Sequence, residues 1–164
     1  MFPGDLEQAA AGLIDKCRAR GLRIATAESC TGGLVAGLLT AIAGSSDVFE
    51  AGFVTYSNAA KTRMIGVPAE LIVRHGAVSE EVARAMASGA LAHSDASLAV
   101  AITGIAGPGG GSALKPVGLV HLAACGTAGP SLHRQLLLGD IGRGEIRMAA
   151  VAEAMAMLYA LTDP

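Results

Sequence analysis

Two short segments carry the residue types that acyl chemistry needs. In Ala27-Glu28-Ser29-Cys30-Thr31-Gly32-Gly33 a hydroxyl and a thiol stand side by side, where an apolar strand gives way to a helix. A nucleophile at such a turn is exposed at a sheet edge. The free N–H groups of the helix start can stabilise a negative charge beside it. From spacing alone, Ser29 and Cys30 are both candidates. The competing reading is that the serine and threonine only cap the helix, an ordinary use of those residues. The second segment is Tyr56-Ser57-Asn58-Ala59-Ala60-Lys61, just after the next strand. A serine hydroxyl needs a base, and no histidine falls in a suitable local pattern. A lysine can serve when burial lowers its pKa. Lys61 is the only lysine between Lys16 and Lys115, in a chain with 16% charged residues. Its competing reading is a solvated surface lysine.

A third segment, Gly104-Ile105-Ala106-Gly107-Pro108-Gly109-Gly110-Gly111, follows a run typical of a buried strand. Ligand loops of α/β sheets commonly lie there. It matches neither GxxxxGK[ST] nor GxGxxG. Its clustered glycines leave backbone N–H groups accessible to an anion, or form a flexible surface turn. Metal chemistry has less support. His75, His93, His121 and His133 are 18, 28 and 12 residues apart, and Cys17, Cys30 and Cys125 form no CxxC pair. A lone histidine in an apolar strand, as at His121, reads as structural. No metal is therefore expected. Three widely spaced cysteines fit a reducing, cytoplasmic setting.

The elements that must position these residues can be read from periodicity. Residues 5–20 read as a helix with Leu6, Ala10, Leu13, Ile14 and Cys17 on one face, stopped by Gly21. A short strand follows at 22–27. Residues 31–43 read as a helix apolar nearly all round, and therefore buried on more than one side. Residues 48–56 are β-like, Asn58 caps a short helix carrying Lys61, and another short helix starts near Pro68. Ser79 with Glu80 and Glu81 marks a helix start. Residues 97–102 read as a fully buried strand. Residues 117–125 and 132–138 read as a hairpin around Gly126-Thr127-Ala128-Gly129-Pro130, and a last helix runs over 144–161. Helices alternate with strands throughout. The expected fold is a single-domain α/β layered sandwich spanning 1–164, with a mixed, largely parallel sheet and helices on both faces.

Composition agrees with one folded domain and excludes several classes. The chain has 164 residues, 52% of them hydrophobic, and a mean hydropathy of +0.50, which excludes a disordered chain. The longest charge-free stretches, 18 residues after Glu28, 19 after Asp95 and 18 after Lys115, are broken by glycines and hydroxyl residues. A spanning helix needs ~20 mostly apolar residues, so no membrane span is expected. The N-terminus lacks a signal-peptide pattern. Net charge is −2, with no Trp and no basic run, which argues against nucleic acid as a partner. The abundance of alanine and glycine reflects either close packing of small side chains or a GC-rich genome.

Five segments, in this order, resemble the CinA C-terminal domain family, the nicotinamide mononucleotide deamidases. They are residues 26–33, residues 54–61, His75-Gly76-Ala77-Val78-Ser79, residues 102–110 and Lys115-Pro116-Val117-Gly118. The resemblance covers about residues 6–161, with no room for the N-terminal nucleotide-binding domain that many members carry. It implies a serine amidase that converts nicotinamide mononucleotide to nicotinic acid mononucleotide and ammonia, in pyridine-nucleotide salvage, without a cofactor. Ser29 takes the nucleophile's position, Lys61 the base's, and Tyr56 a proton-relay or orienting role. Amides of Cys30, Thr31, Gly32 and Gly33 would hold the oxyanion. Thr103, Gly104, Gly107, Gly109 and Gly110 fit ligand contacts. Arg143 and Arg147 match a basic pair near the start of the last helix. The expected partner is a small-molecule pyridine nucleotide, and a homodimer is the assembly to consider. The alternative is a non-catalytic nucleotide-binding or regulatory module linked to competence and DNA damage. A pure binder has no need of the complete Ser29, Tyr56 and Lys61 set.

Overall fold

The structure is a computed structural model that describes residues 1–129 and 131–162. Its elements are α1 (Gly4–Ala19), β1 (Ile24–Glu28), α2 (Leu34–Thr40), β2 (Phe49–Val54), α3 (Asn58–Ile65), α4 (Ala69–His75), α5 (Glu80–Ala92), β3 (Leu98–Gly104), β4 (Leu119–Gly126), β5 (Leu132–Leu137) and α6 (Arg143–Leu161). The five strands form one mixed sheet in the order β2-β1-β3-β4-β5. β1 runs parallel to both β2 and β3, and β4 and β5 continue the sheet antiparallel. The α/β layered domain expected from the alternation of elements is therefore present. Pro130, in the expected hairpin turn, lies outside the described residues.

Helices cover both faces, and the two faces are packed differently. Ile24, Val100, Ile102, Val120 and Leu122 point to one side, where they meet buried residues of α1, α2 and α6. The alternate residues Ala25, Ala27, Ala99, Ala101 and Ala123 point to the other side, against Val82, Ala83, Met86, Ala87 and Ala90 of α5. Period-two alternation thus places large side chains on one face and alanines on the other. Among the described residues, no helix is long and apolar enough to cross a membrane.

Two helix starts differ from expectation. α2 begins at Leu34 rather than at residue 31, and it ends at Thr40. Gly32 and Gly33 have φ of +60° and +98°, a left-handed turn that side-chain-bearing residues rarely adopt. The cap is not a serine or threonine but Glu28. Its carboxylate accepts N–H bonds from Gly33 (3.0 Å), Val35 (3.1 Å) and Ala36 (2.9 Å). The second difference is at α3, where the cap is Ser57, whose Oγ accepts from the Ala60 N–H at 3.1 Å, and not Asn58. Ser79 does cap α5, through the Val82 N–H at 3.3 Å.

Glu28 is 0% exposed, so its charge is balanced by backbone dipoles rather than by water. Glu28→Gln keeps the shape, removes the charge and turns one acceptor into a donor that faces N–H groups. The expected cost is about 3 kcal/mol, or a Tm lower by roughly 6–12 °C at this chain length. Thermal unfolding followed by circular dichroism checks it. An unchanged Tm would show that the three bonds contribute nothing net.

Candidate active site

The C-terminal ends of the three parallel strands meet at one point. Beyond β1, the Ser29 N–H donates to the Ile102 carbonyl of β3 at 2.9 Å. Beyond β2, the Thr55 N–H donates to the Glu28 carbonyl, also at 2.9 Å. Ser29 is thus fixed by both neighbouring strands. α3 then carries Lys61 back over the strand ends. Lys61 Nζ lies 3.1 Å from Ser29 Oγ and 2.9 Å from the Thr55 carbonyl.

Lys61 is 1% exposed. Burial holds its ammonium below the ordinary lysine range, because removal from water penalises the charged form. A neutral Lys61 can donate one N–H to Thr55 and present its lone pair to the Ser29 hydroxyl. Cys30 is adjacent, but burial pushes its thiol up to about 11, against smaller lowering by its own backbone N–H, Arg147 and Lys61. Its reactive thiolate form is therefore scarce at neutral pH. The two nucleophile candidates that spacing left open have opposite environments: a hydroxyl beside a buried amine, and a thiol whose pKa is raised by burial.

These residues border a cavity of about 280 Å³ lined by Ser29, Cys30, Tyr56, Lys61, Thr103, Gly104, Gly107, Gly109, Gly110 and Arg143, all singled out from the sequence. Asn58, Ala77, Val78, Ile105 and Ala106 complete the wall. Thr31, Gly32 and Gly33 do not line it. They lie behind the nucleophile turn, where the Gly33 N–H is taken by Glu28 and the Gly32 N–H by the Ser29 carbonyl at 3.0 Å. Among the described residues the amides of Cys30 and Thr31 donate to no other residue. Of the four residues, Cys30 is the one that borders the cavity. At Gly104 a Cβ would come within 3.1 Å of Cys30 Sγ and closer still to Val120, so only glycine fits.

The remaining walls are held by contacts without a sequence signature. Thr103 Oγ1 donates to the Ala77 carbonyl at 2.7 Å, so its hydroxyl proton supports the 76–79 loop. Lys115 Nζ donates to the carbonyls of His75 (2.6 Å) and Val78 (2.7 Å) and pins the same loop from outside. Across the mouth, Arg143 Nη1 donates to the Gly107 carbonyl at 2.7 Å and Nη2 to the Tyr56 hydroxyl at 3.1 Å. Tyr56 stands at this rim, 60% exposed, with no hydrogen bond to Ser29 or Lys61. The N–H groups of Gly107, Gly109 and Gly110 donate to nothing among the described residues. A larger open groove of about 640 Å³ between α1 and α6 is lined by Asp5, Leu6, Gln8, Ala9, Gly12, Ala152, Met155, Ala156 and Tyr159. It holds no paired nucleophile and base. His121, expected to be structural, is buried in β4 with Nδ1 3.0 Å from His133 Nε2.

The fold and cavity define a class: a mixed-sheet α/β domain with a half-buried serine beside a buried lysine at the ends of its parallel strands. The chain belongs to the CinA C-terminal domain family, which it matches over residues 6–162. It is similar to the crystal structure of a competence/damage inducible protein from Agrobacterium tumefaciens. That chain is 57% identical with a TM-score of 0.98, over 99% of both chains. A CinA superfamily protein from Escherichia coli is 34% identical, with a TM-score of 0.89 over 98% of this chain and 94% of that one. A CinA-like protein from Anaeromyxobacter sp. (strain K) is 52% identical over 146 residues, which are 89% of this chain and 35% of that protein. The chain thus spans about a third of the length of the curated relatives it matches.

Burial of Lys61 has a measurable consequence for stability. Unfolding returns the amine to water, where its pKa recovers, so the unfolded chain holds that proton more tightly. Below the folded pKa the cost is fully present, and it disappears as pH rises to the unfolded value of about 10.4. Lys61→Met is therefore expected to raise Tm at neutral pH, with a gain that shrinks toward pH ~10. A gain that grows with pH would contradict the burial of a charge-bearing amine.

Proposed function

We propose that this chain is an amidohydrolase acting on a pyridine nucleotide, converting nicotinamide mononucleotide to nicotinic acid mononucleotide and ammonia. The observation that carries the reading is the buried amine of Lys61, 3.1 Å from Ser29 Oγ and unpaired with any carboxylate among the described residues. Among the described residues its ammonium has neither solvent nor a carboxylate to offset its burial, so its neutral form is favoured beside the Ser29 hydroxyl.

In this mechanism Ser29 Oγ attacks the carboxamide carbon while its proton passes to Lys61 Nζ. The carbonyl oxygen becomes an oxyanion, met by the Cys30 amide. Collapse breaks the C–N bond, and Lys61 returns the proton to the leaving nitrogen, releasing ammonia. Water then gives a proton to Lys61 and attacks the acyl-Ser29 ester. The second collapse frees the carboxylic acid and restores the Ser29 hydroxyl with the proton from Lys61. Each assisted proton transfer contributes roughly 10²–10⁴-fold in rate. An oxyanion donor contributes a further ~3 kcal/mol. Tyr56 orients the rim through Arg143 in this scheme, since its hydroxyl is engaged there.

Ammonia release from nicotinamide mononucleotide by the purified protein tests the reaction. Ser29→Ala is expected to lose roughly a thousandfold or more in kcat, and Cys30→Ala to keep most activity. The rate rises with pH through the lowered pKa of Lys61 and then levels, because only the neutral amine accepts a proton. Lys61→Arg stays inactive, since guanidinium does not deprotonate. An inactive Cys30→Ala beside an active Ser29→Ala would overturn the serine mechanism. Binding of the mononucleotide without turnover would favour a nucleotide-binding module instead.

The rim supports recognition of the phosphate. Unbonded amides at Gly107, Gly109 and Gly110 and the Arg143 guanidinium lie along one side of the cavity, a donor set suited to a phosphate monoester. Loss of one charge-assisted contact costs about 1.5–3 kcal/mol, or roughly ten- to hundredfold in kcat/KM. Nicotinamide riboside is therefore expected to be a much poorer substrate, and Arg143→Ala to narrow the gap by impairing the mononucleotide more than the riboside. Equal efficiencies for the two substrates in the unmutated protein would remove phosphate recognition.

A further inference from the structure

Arg147, one turn into α6, has a role that the proposed reaction does not use directly. Its Nε donates to the Cys30 carbonyl at 3.1 Å and its Nη2 to the Thr31 carbonyl at 3.0 Å. Both acceptors belong to the turn that carries Ser29. Among the described residues no carboxylate lies within ion-pair distance of this guanidinium. Its charge is therefore not cancelled locally, and it is among the charges that act on Cys30. The guanidinium lies against the turn: a Cβ at Gly32 would be in ordinary van der Waals contact with Nη2, at 3.5 Å.

The turn is thus held by complementary groups on its two sides. Glu28 takes the donors at Gly33, Val35 and Ala36, while Arg147 takes the acceptors at Cys30 and Thr31. A peptide unit is planar, with N–H and C=O pointing opposite ways. Fixing the Cys30 carbonyl fixes the plane that carries the Thr31 N–H, and fixing the Thr31 carbonyl fixes the plane of the Gly32 N–H, which donates to the Ser29 carbonyl at 3.0 Å and so holds the plane that carries the Cys30 N–H. Among the described residues, the amides of Cys30 and Thr31 are left without a partner in another residue. A planar guanidinium fork can hold two adjacent carbonyls at once, which a single ammonium does less well.

We infer that Arg147 is a positioning residue for the nucleophile turn, an inference that rests on the acyl-transfer reading above. It holds the turn so that Ser29 Oγ stays on Lys61 and the Cys30 amide stays free for the oxyanion. Its fixed positive charge also lowers the energy of that oxyanion. The contribution belongs to the transition state. Arg147 does not line the cavity, so its removal acts on kcat rather than on substrate binding.

Two measurements test this on Arg147→Lys and Arg147→Ala. The first is steady-state turnover of nicotinamide mononucleotide. The second is the rate at which a small alkyl fluorophosphonate modifies Ser29, followed by intact mass. That probe forms an Oγ–P bond, releases fluoride and passes the serine proton to Lys61, so it reports the turn without needing the substrate. Arg147→Ala is expected to lose about a hundredfold in kcat and in labelling rate, a size known for small misplacements of reacting groups. KM should stay unchanged, and low-millimolar guanidinium should restore part of the loss. Arg147→Lys should fall between, because it keeps the charge but not the fork. Circular dichroism establishes that each variant is folded. Variants that label and turn over at the unmutated rate, or that change only KM or Tm, would overturn the inference and leave the proposed reaction standing. An unmutated chain that labels at Ser29, slows on loss of Arg147, yet releases no ammonia would keep Arg147 as a positioning residue and sink the substrate assignment. An unmutated chain that neither labels nor releases ammonia would sink both.

Discussion

A buried carboxylate organises this molecule. Glu28 is the last residue of β1, and no solvent reaches it. The amides that α2 would leave unsatisfied at its start are turned onto it, so a helix dipole and a charge each meet the other's need. The consequence extends to the chemistry. The helix start is occupied and does not serve as an anion site. The five residues between Glu28 and Leu34 must close a turn outside the helix, with the glycines at its far end in left-handed conformation. Ser29, first in that turn, inherits the rigidity of the strand. Its amide is held by β3, and the carbonyl before it is held by the residue after β2.

From that fixed point the cavity is assembled by pieces that share no element. α3 supplies the amine, the 76–79 loop a wall, the glycine-rich segment a rim, and α6 two arginines that reach the rim and the back of the turn. Most of the tethers are side chains bonded to backbone carbonyls: Thr103 and Lys115 to the loop, Arg143 to Gly107, Arg147 to the turn. Such tethers fix loops that have no ladder of their own. They also explain why so few charged residues suffice. Lys61, Lys115, Arg143 and Arg147 all spend hydrogen bonds on neutral carbonyls.

The sequence made the alternation of helices and strands legible, because period-two and period-3.6 patterns reflect burial directly. The segments around Ser29, Lys61 and the glycines were legible because their residue types are chemically unusual for their neighbourhoods. Helix starts were less so. Serine and threonine compete for the cap on paper, and only the three-dimensional path shows that Glu28 reaches the amides first. A carboxylate closing an apolar strand in a charge-poor region was the available signal. The loop formed by Ala77 and Val78 carries no chemistry in its side chains, so only its place in a segment shared with the family, and no residue type, marked it. The roles of Lys115 and Arg147 depend on distances across 37 and 116 residues of chain, which no local spacing encodes. The hydroxyl of Thr103 was legible as a site residue, but not the direction in which it donates.

The unequal faces of the sheet give the chain an unequal tolerance of change. On the side of α1, α2 and α6, large aliphatic side chains fill the space, and trimming one leaves a void that costs about 2–5 kcal/mol. On the side of α5, alanines of three strands meet alanines of the helix, and the backbones stand close. There the damaging change is growth, since an added methyl group has nowhere to go and costs about 1–3 kcal/mol. A drift toward larger apolar residues would be tolerated in most cores but would here push α5 away from the sheet. α5 begins directly after the loop that walls the cavity. The alanines of this face thus act as spacers between α5 and the sheet, and the helix they seat leads directly out of the cavity's wall.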